Sequence, residues 1–96
     1  MTASVQRIDT RLAVAGGMTL ETAAGLLASG VQALSRDDLP FDLAGVTDVD
    51  SSGLAVLFGW QRAAVAQGTT LRITNPPHNL VSLAEVYGVT ELLPLS

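Results

Sequence analysis

The stretch Asp48-Val49-Asp50-Ser51-Ser52-Gly53 constrains this chain more than any other. A short apolar element, Phe41 to Val49, leads into it, and the helix-like apolar run Leu54-Ala55-Val56-Leu57-Phe58 follows. A strand that turns this abruptly into a helix leaves the N–H groups of the first helical turn without intrahelical partners. Small oxygen-bearing side chains at the junction can accept from them. A phosphate would be held best at the same place, because the N–H groups and the positive helix end point at it. The junction therefore supports two readings, a helix cap at Ser51 or Ser52 and a hydroxyl under regulation.

The flanks order themselves around this junction. Val5 to Ile8 and Leu12 to Ala15 alternate in polarity about Asp9-Thr10, which predicts a β-hairpin ended by Gly16-Gly17. Thr19 is the expected N-cap of a helix from Leu20 to about Leu34, with Leu20, Ala23, Ala24, Leu27, Val31 and Leu34 as its apolar face. Leu39 to Leu43 opens the strand that enters the junction, with Pro40 at its first residues because proline cannot donate to a ladder. A second helix runs from Ser52 to Gln67 and stops at Gly68. Thr70 to Thr74 alternates as a strand. Asn75-Pro76-Pro77 opens a third helix to Tyr87, with Leu80, Leu83, Ala84 and Tyr87 inward and Gly88 as its stop. Val89 to Leu95 is an apolar tail expected as a strand or turn. The order is ββαβαβα plus that tail: one α/β domain over residues 1–96, a mixed sheet with helices packed on it.

The second helix carries an anomaly. Counting roughly 100° per residue, Leu54, Leu57, Phe58, Gln61 and Val65 share a face suited to the sheet. The opposite face holds Val56, Gly59, Trp60, Ala63 and Gln67, which is apolar where polar residues are expected. Either another helix covers Trp60, or the face with the chain's only tryptophan receives a partner. The second reading is preferred, with Val56, Trp60 and Ala63 burying apolar area.

Composition excludes several functions. The 96 residues carry five arginines, no lysine and a net charge of −4. Nucleic acid and anionic membrane surfaces lack an electrostatic handle, so any membrane association is indirect. Without lysine there is no Walker A phosphate loop and no Schiff base, and without cysteine no thiolate metal site. Apolar residues reach 48% against 15% charged, high for a small soluble chain, and this points to an apolar patch for a partner. No signal peptide and no stretch of spanning length is visible, so the expected location is the cytoplasm.

Catalysis and metal binding fare poorly. A hydrolase built from Ser51, His78 and an aspartate has no nucleophile elbow, and His78 beside Pro76-Pro77 reads as a surface residue. Asp42, Asp48 and Asp50 could in principle gather a divalent cation, but a carboxylate at such a junction more often accepts backbone N–H bonds. Arg62 and Arg72 read as surface charges. No metal, no cofactor and no catalytic residue is expected. The chain reads as a binding module.

The residues Asp50-Ser51-Ser52-Gly53-Leu54, after Phe41-Asp42-Leu43 and ahead of an apolar helix, resemble the STAS domain signature. Leu12-Ala13-Val14-Ala15-Gly16 fits the family's early strand and glycine, and the resemblance covers nearly the whole chain. It implies the STAS fold, α/β, with a mixed sheet of about four or five strands and three or so helices. Two branches of the family then compete. In anti-sigma-factor antagonists the serine after the aspartate, Ser51 here, is phosphorylated by an anti-sigma kinase. In the MlaB-like branch, a short cytosolic STAS subunit docks on the ATPase of an ABC-type phospholipid transporter that maintains outer-membrane lipid asymmetry. The ending Tyr87-Gly88-Val89-Thr90-Glu91-Leu92-Leu93-Pro94 is similar to that of the transporter branch, whereas the double serine is the antagonist-like form. The expected partner is the ABC ATPase, which would place the chain at the inner membrane through that partner. The alternative partner is the anti-sigma kinase. Asp50, Ser51, Ser52, Gly53, Val56, Trp60 and Ala63 are the expected contact residues.

Overall fold

The computed structural model describes residues 3–93. Its strands are β1 (Ala3–Ile8), β2 (Arg11–Met18), β3 (Phe41–Val49) and β4 (Ile73–Thr74); its helices are α1 (Ala23–Arg36), α2 (Ser51–Ala66) and α3 (His78–Val86), followed by a 3-10 turn at Thr90–Leu92. The sheet order is β1-β2-β3-β4. β1 and β2 form the antiparallel hairpin, turning at Asp9 with φ 53°, and the other pairings are parallel. The architecture is the mixed α/β sheet with three helices that the sequence predicts.

Several boundaries move, each for a local reason. Gly16-Gly17 does not end β2. The strand continues to Met18, and its register against β3 shifts between Ala13 and Ala15 and again between Gly16 and Met18. β4 is confined to two residues, since after the Arg72 carbonyl accepts from the Phe41 N–H at 2.9 Å the ladder covers only Phe41 and Asp42. α1 begins at Ala23 rather than Leu20, because the Thr22 hydroxyl turns back to bond the Gly17 carbonyl at 2.7 Å and accepts the Thr19 N–H at 3.0 Å. Asn75 is not a cap either. It sits at φ 52° and donates its amide to Asp42 at 3.0 Å, and α3 starts after Pro77. In the tail, Leu93 is buried after the 3-10 turn, while Pro94 and Leu95 lie outside the described residues.

One apolar cluster joins the sheet to all three helices. Leu12, Val14, Phe41, Leu43 and Ile73 point from the strands into it, meeting Leu26 and Leu34 of α1, Leu57 and Trp60 of α2, and Leu80 and Ala84 of α3. The inward stripe of α1 is Leu26, Gly30, Ala33 and Leu34, so the expected face is rotated. Leu20 is 77% exposed and Tyr87 56% exposed, and neither is core.

Trp60 is the center of this cluster and is 0% exposed. Its ring stacks on Phe41 with centroids 4.4 Å apart. Its indole N–H donates to the carbonyls of Leu26 and Leu27 at 3.1 and 3.3 Å, which satisfies the one polar atom the ring brings inside. α1 can approach because Gly30 faces the indole, and a Cβ at Gly30 would overlap it. The partner contacts expected at Val56 and Trp60 are therefore corrected. Val56 and Trp60 lie beneath α1, and Ala63 is half-buried against the same core. A tryptophan opposite an obvious sheet face was read as outward because a helix on a sheet usually buries one side. α2 buries two, against the sheet and against α1.

Gly30→Ala should cost about 1–3 kcal/mol by overpacking the indole, read as a lower urea midpoint at unchanged m-value. A midpoint equal to that of the parent chain would mean that Gly30 and Trp60 are not in contact.

Candidate functional site

The parallel pairing of β2 with β3 brings Met18 and Val49 to the same end of the sheet. The Asp50 N–H donates to the Met18 carbonyl at 3.2 Å, and α2 starts at the next residue. This tight exit requires Gly53. A Cβ there would lie 2.7 Å from the Met18 carbonyl oxygen and 2.8 Å from Val49 Cγ1. Gly53 is thus buried against its own chain, and its expected contact with a partner is corrected to an internal one.

Asp50 is the cap of α2; neither Ser51 nor Ser52 is. Its Oδ1 accepts the Ser52 N–H at 2.8 Å, while Oδ2 accepts the Leu20 N–H at 3.1 Å. One carboxylate so ties the β2–α1 loop to the start of α2. Its pKa lies below the ordinary aspartate value. Partial desolvation pushes it up, and the N–H donors of Leu20, Ser52 and Gly53 together with the Ser52 hydroxyl outweigh that. With the cap supplied by Asp50, the Ser51 hydroxyl is exposed and has no hydrogen-bond partner among the described residues. Ser52 is half-buried on the side facing α1.

The outward side of α2 is the stripe Ser51, Ala55, Phe58, Arg62 and Val65, spaced by four, three, four and three residues. It lies across the helix from Trp60, nine residues beyond Ser51. Beside Ser51 an open cleft of about 350 Å³ is lined by Leu54, Ala55, Phe58, Tyr87 and Val89. On the other side a groove runs between Ala55 and Arg62 of α2 and Ala23 and Leu27 of α1. Leu20 and Glu21 flank Asp50. Leu20, Val65 and Tyr87 are the exposed residues that sequence reasoning missed, and Phe58 is half-buried at the cleft. Thr22 was a second available cap and would have freed Leu20, but nothing in the pattern marked Tyr87 as outward.

The other chemical candidates do not converge. Asp42 sits at the far end of β3 from Asp50, where the Asn75 amide, the Ala44 N–H and Arg11 at 3.1 Å hold its carboxyl below the usual range. His78 lies 3.5 Å from Ser82 at the start of α3, whereas Ser51 faces the residues after the end of α3. Among the described residues no group of three His, Asp or Glu side chains could hold a metal ion.

A family model described as "Mlab, STAS domain" matches residues 1–94, and the chain belongs to the STAS domain family. The fold agrees with solved relatives. The anti-sigma factor antagonist SpoIIAA in its unphosphorylated form superposes with a TM-score of 0.64 at 13% identity, covering 88% of this chain and 82% of that one. An anti-sigma factor antagonist from Mycobacterium paratuberculosis gives 0.69 at 22% identity, over 98% and 83%. No curated protein matches the sequence.

Asp50→Ala should lower stability at neutral pH and loosen the β2–α1 loop. Because folding depresses this carboxyl, its contribution is present above the unfolded pKa of about 3.9 and is lost as pH falls through the folded value. Wild type and variant should draw together in denaturation midpoint only as pH falls below the ordinary aspartate range and through the folded value. A gap that persists in acid would assign the loss to packing.

Proposed function

We propose that this STAS domain is a non-catalytic regulatory subunit that docks on the ATPase of an ABC-type phospholipid transporter maintaining outer-membrane lipid asymmetry. The observation that carries the docking surface is the free Ser51 hydroxyl, set at the first residue of α2 beside an apolar cleft. A binding surface needs apolar area to desolvate and a few polar groups to fix register, and the stripe from Ser51 to Val65 with Tyr87 supplies both. Of the expected contacts, Asp50, Ser51 and Ser52 remain at this rim, and Ala55 and Phe58 replace Val56 and Trp60. The description of the matching family model supports the transporter branch. No helix among the described residues is long and apolar enough to cross a membrane, so the chain would reach the membrane through its partner.

The second reading is an anti-sigma-factor antagonist controlled by phosphorylation of Ser51. The same exposed hydroxyl favors it, as do the named activities of the structural relatives. A phosphate of about −1.5 to −2 charge on Ser51 would stand beside Asp50 and Asp48 with no lysine near it. Under this reading, that repulsion is what would release the partner.

The test is a pull-down of the tagged chain from its native cells, with mass spectrometry of the partners and of Ser51. An ABC ATPase with its permease and unmodified Ser51 supports the transporter subunit. A small kinase with phosphate on Ser51 replaces it with the antagonist. With either partner purified, Ser51→Trp should weaken binding about tenfold or more, since its bulk at the start of α2 would hold the partner off the cleft. Unchanged affinity would remove Ser51 from the interface.

A further inference from the structure

Charge in this molecule is sorted by end. Where β2 and β3 begin, arginines and aspartates pair: Arg7 with Asp37 at 3.1 Å, Arg11 with Asp42 at 3.1 Å and Arg72 with Asp38 at 3.4 Å. α1 also finishes at that end, with Arg36. The opposite end, where the strands finish, holds the remaining carboxylates except Asp9, and no arginine pairs with them. Asp48 and Asp50 follow β3, Glu21 lies beside Asp50, and Glu85 and Glu91 flank the Tyr87 and Val89 side of the cleft. Between them the surface is apolar, with Leu20, Ala55 and Tyr87 exposed and Phe58 half-buried in the cleft. Arg62, three turns along α2, is the one cation on this face among the described residues.

We propose that the Ser51 end receives a protein surface of opposite construction, an apolar center ringed by lysine or arginine side chains. The proposal rests on reading this end as the docking site and adds the chemistry of the partner. Asp50 is held by the Leu20 and Ser52 N–H groups, but Glu21, Asp48, Glu85 and Glu91 have no arginine partner among the described residues and are available to a partner's cations. The carbonyl end of α3 adds negative potential beside Tyr87, while the positive end of α2 is already taken by Asp50. A second copy docking through this face would bring two acidic rims together. Nucleic acid and an anionic lipid surface would be repelled for the same reason. A basic rim around an apolar center matches both features, and its long-range attraction would speed and orient docking.

The experiment uses the full chain labelled with ¹⁵N and two synthetic amphipathic helical peptides sharing one leucine face. One carries lysine on its polar face and the other glutamate. The lysine peptide should shift amides at Leu20, along Ser51 to Phe58 and at Tyr87. Its binding should weaken about tenfold between low salt and about 1 M, where the screening length falls to roughly 3 Å. The glutamate peptide should not bind. The triple variant Glu21→Gln, Glu85→Gln, Glu91→Gln should weaken lysine-peptide binding about tenfold at an unchanged melting temperature. Equal binding of both peptides, no binding of the lysine peptide, shifts on the opposite face of the sheet, or an undiminished triple variant would each overturn the proposal. The peptides report surface chemistry whatever the native partner is. A pull-down without an ABC ATPase would therefore sink the transporter reading alone, and a failed peptide test would sink only this one.

Discussion

The insertion of Trp60 beneath α1 is the contact from which the rest of the structure follows. The ring is held three ways: by Phe41 from the sheet, by the carbonyls of Leu26 and Leu27, and by the empty side-chain position at Gly30. Phe41 belongs to β3 and the other two constraints to α1, so one side chain of α2 fixes all three elements relative to one another. It also fixes the rotation of α2 about its own axis. Ser51 lies nine residues before Trp60, half a turn away at roughly 100° per residue. Burying the tryptophan therefore turns Ser51, Ala55 and Phe58 outward. The outward stripe of α2 follows from the packing of the core.

Asp50 does for the junction what Trp60 does for the core. A helix needs an acceptor at its N-cap, and serine, threonine and aspartate all serve well. Had Ser51 taken that role, its hydroxyl would be tied to a backbone N–H and closed to a partner. Because Asp50 caps the helix, the serine is free while the helix start stays anchored. The second oxygen of the carboxylate holds the Leu20 N–H, so the loop carrying the exposed Leu20 stands at a fixed position beside Ser51. Thr22 braces the same loop from behind through Gly17 and Thr19. Polar bonds of this kind give an exposed apolar residue a defined place, which lowers the entropy lost when a partner covers it.

How much of this could be read from the residues depends on the kind of signal. The hairpin, the strand into Asp50, the limits of α2 and the family signature rest on alternation, on glycine stops and on a short motif, all local, and the structure contains them. The burial of Trp60 is not local. Periodicity gives the angle between residues on a helix but not which directions are covered, and α2 is covered on two sides. The same limit displaced the inward stripe of α1 and placed Tyr87 in the core. Leu20 failed for a different reason. Thr19 and Thr22 are both acceptable caps, and the choice turns on the Gly17 carbonyl, which only the fold brings within 2.7 Å of the Thr22 hydroxyl. At the junction, the cap expected at Ser51 or Ser52 falls to Asp50, because its carboxylate reaches the Ser52 N–H and the Leu20 N–H together.

The distribution of charge separates stability from recognition. Ion pairs exposed at a surface contribute about 0–1 kcal/mol each, so the three pairs at the far end are minor against a core that buries Trp60 and Phe41. Their larger effect is to consume arginines. With no lysine in the chain, pairing Arg7, Arg11 and Arg72 there leaves few cations to neutralize the acids elsewhere. The Ser51 end is then acidic because the opposite end is neutralized. Two copies meeting through the apolar cleft would bring like charges together. An exposed apolar surface is a liability in a small domain unless something keeps wrong partners away, and under the proposed docking the acidic rim would serve that purpose.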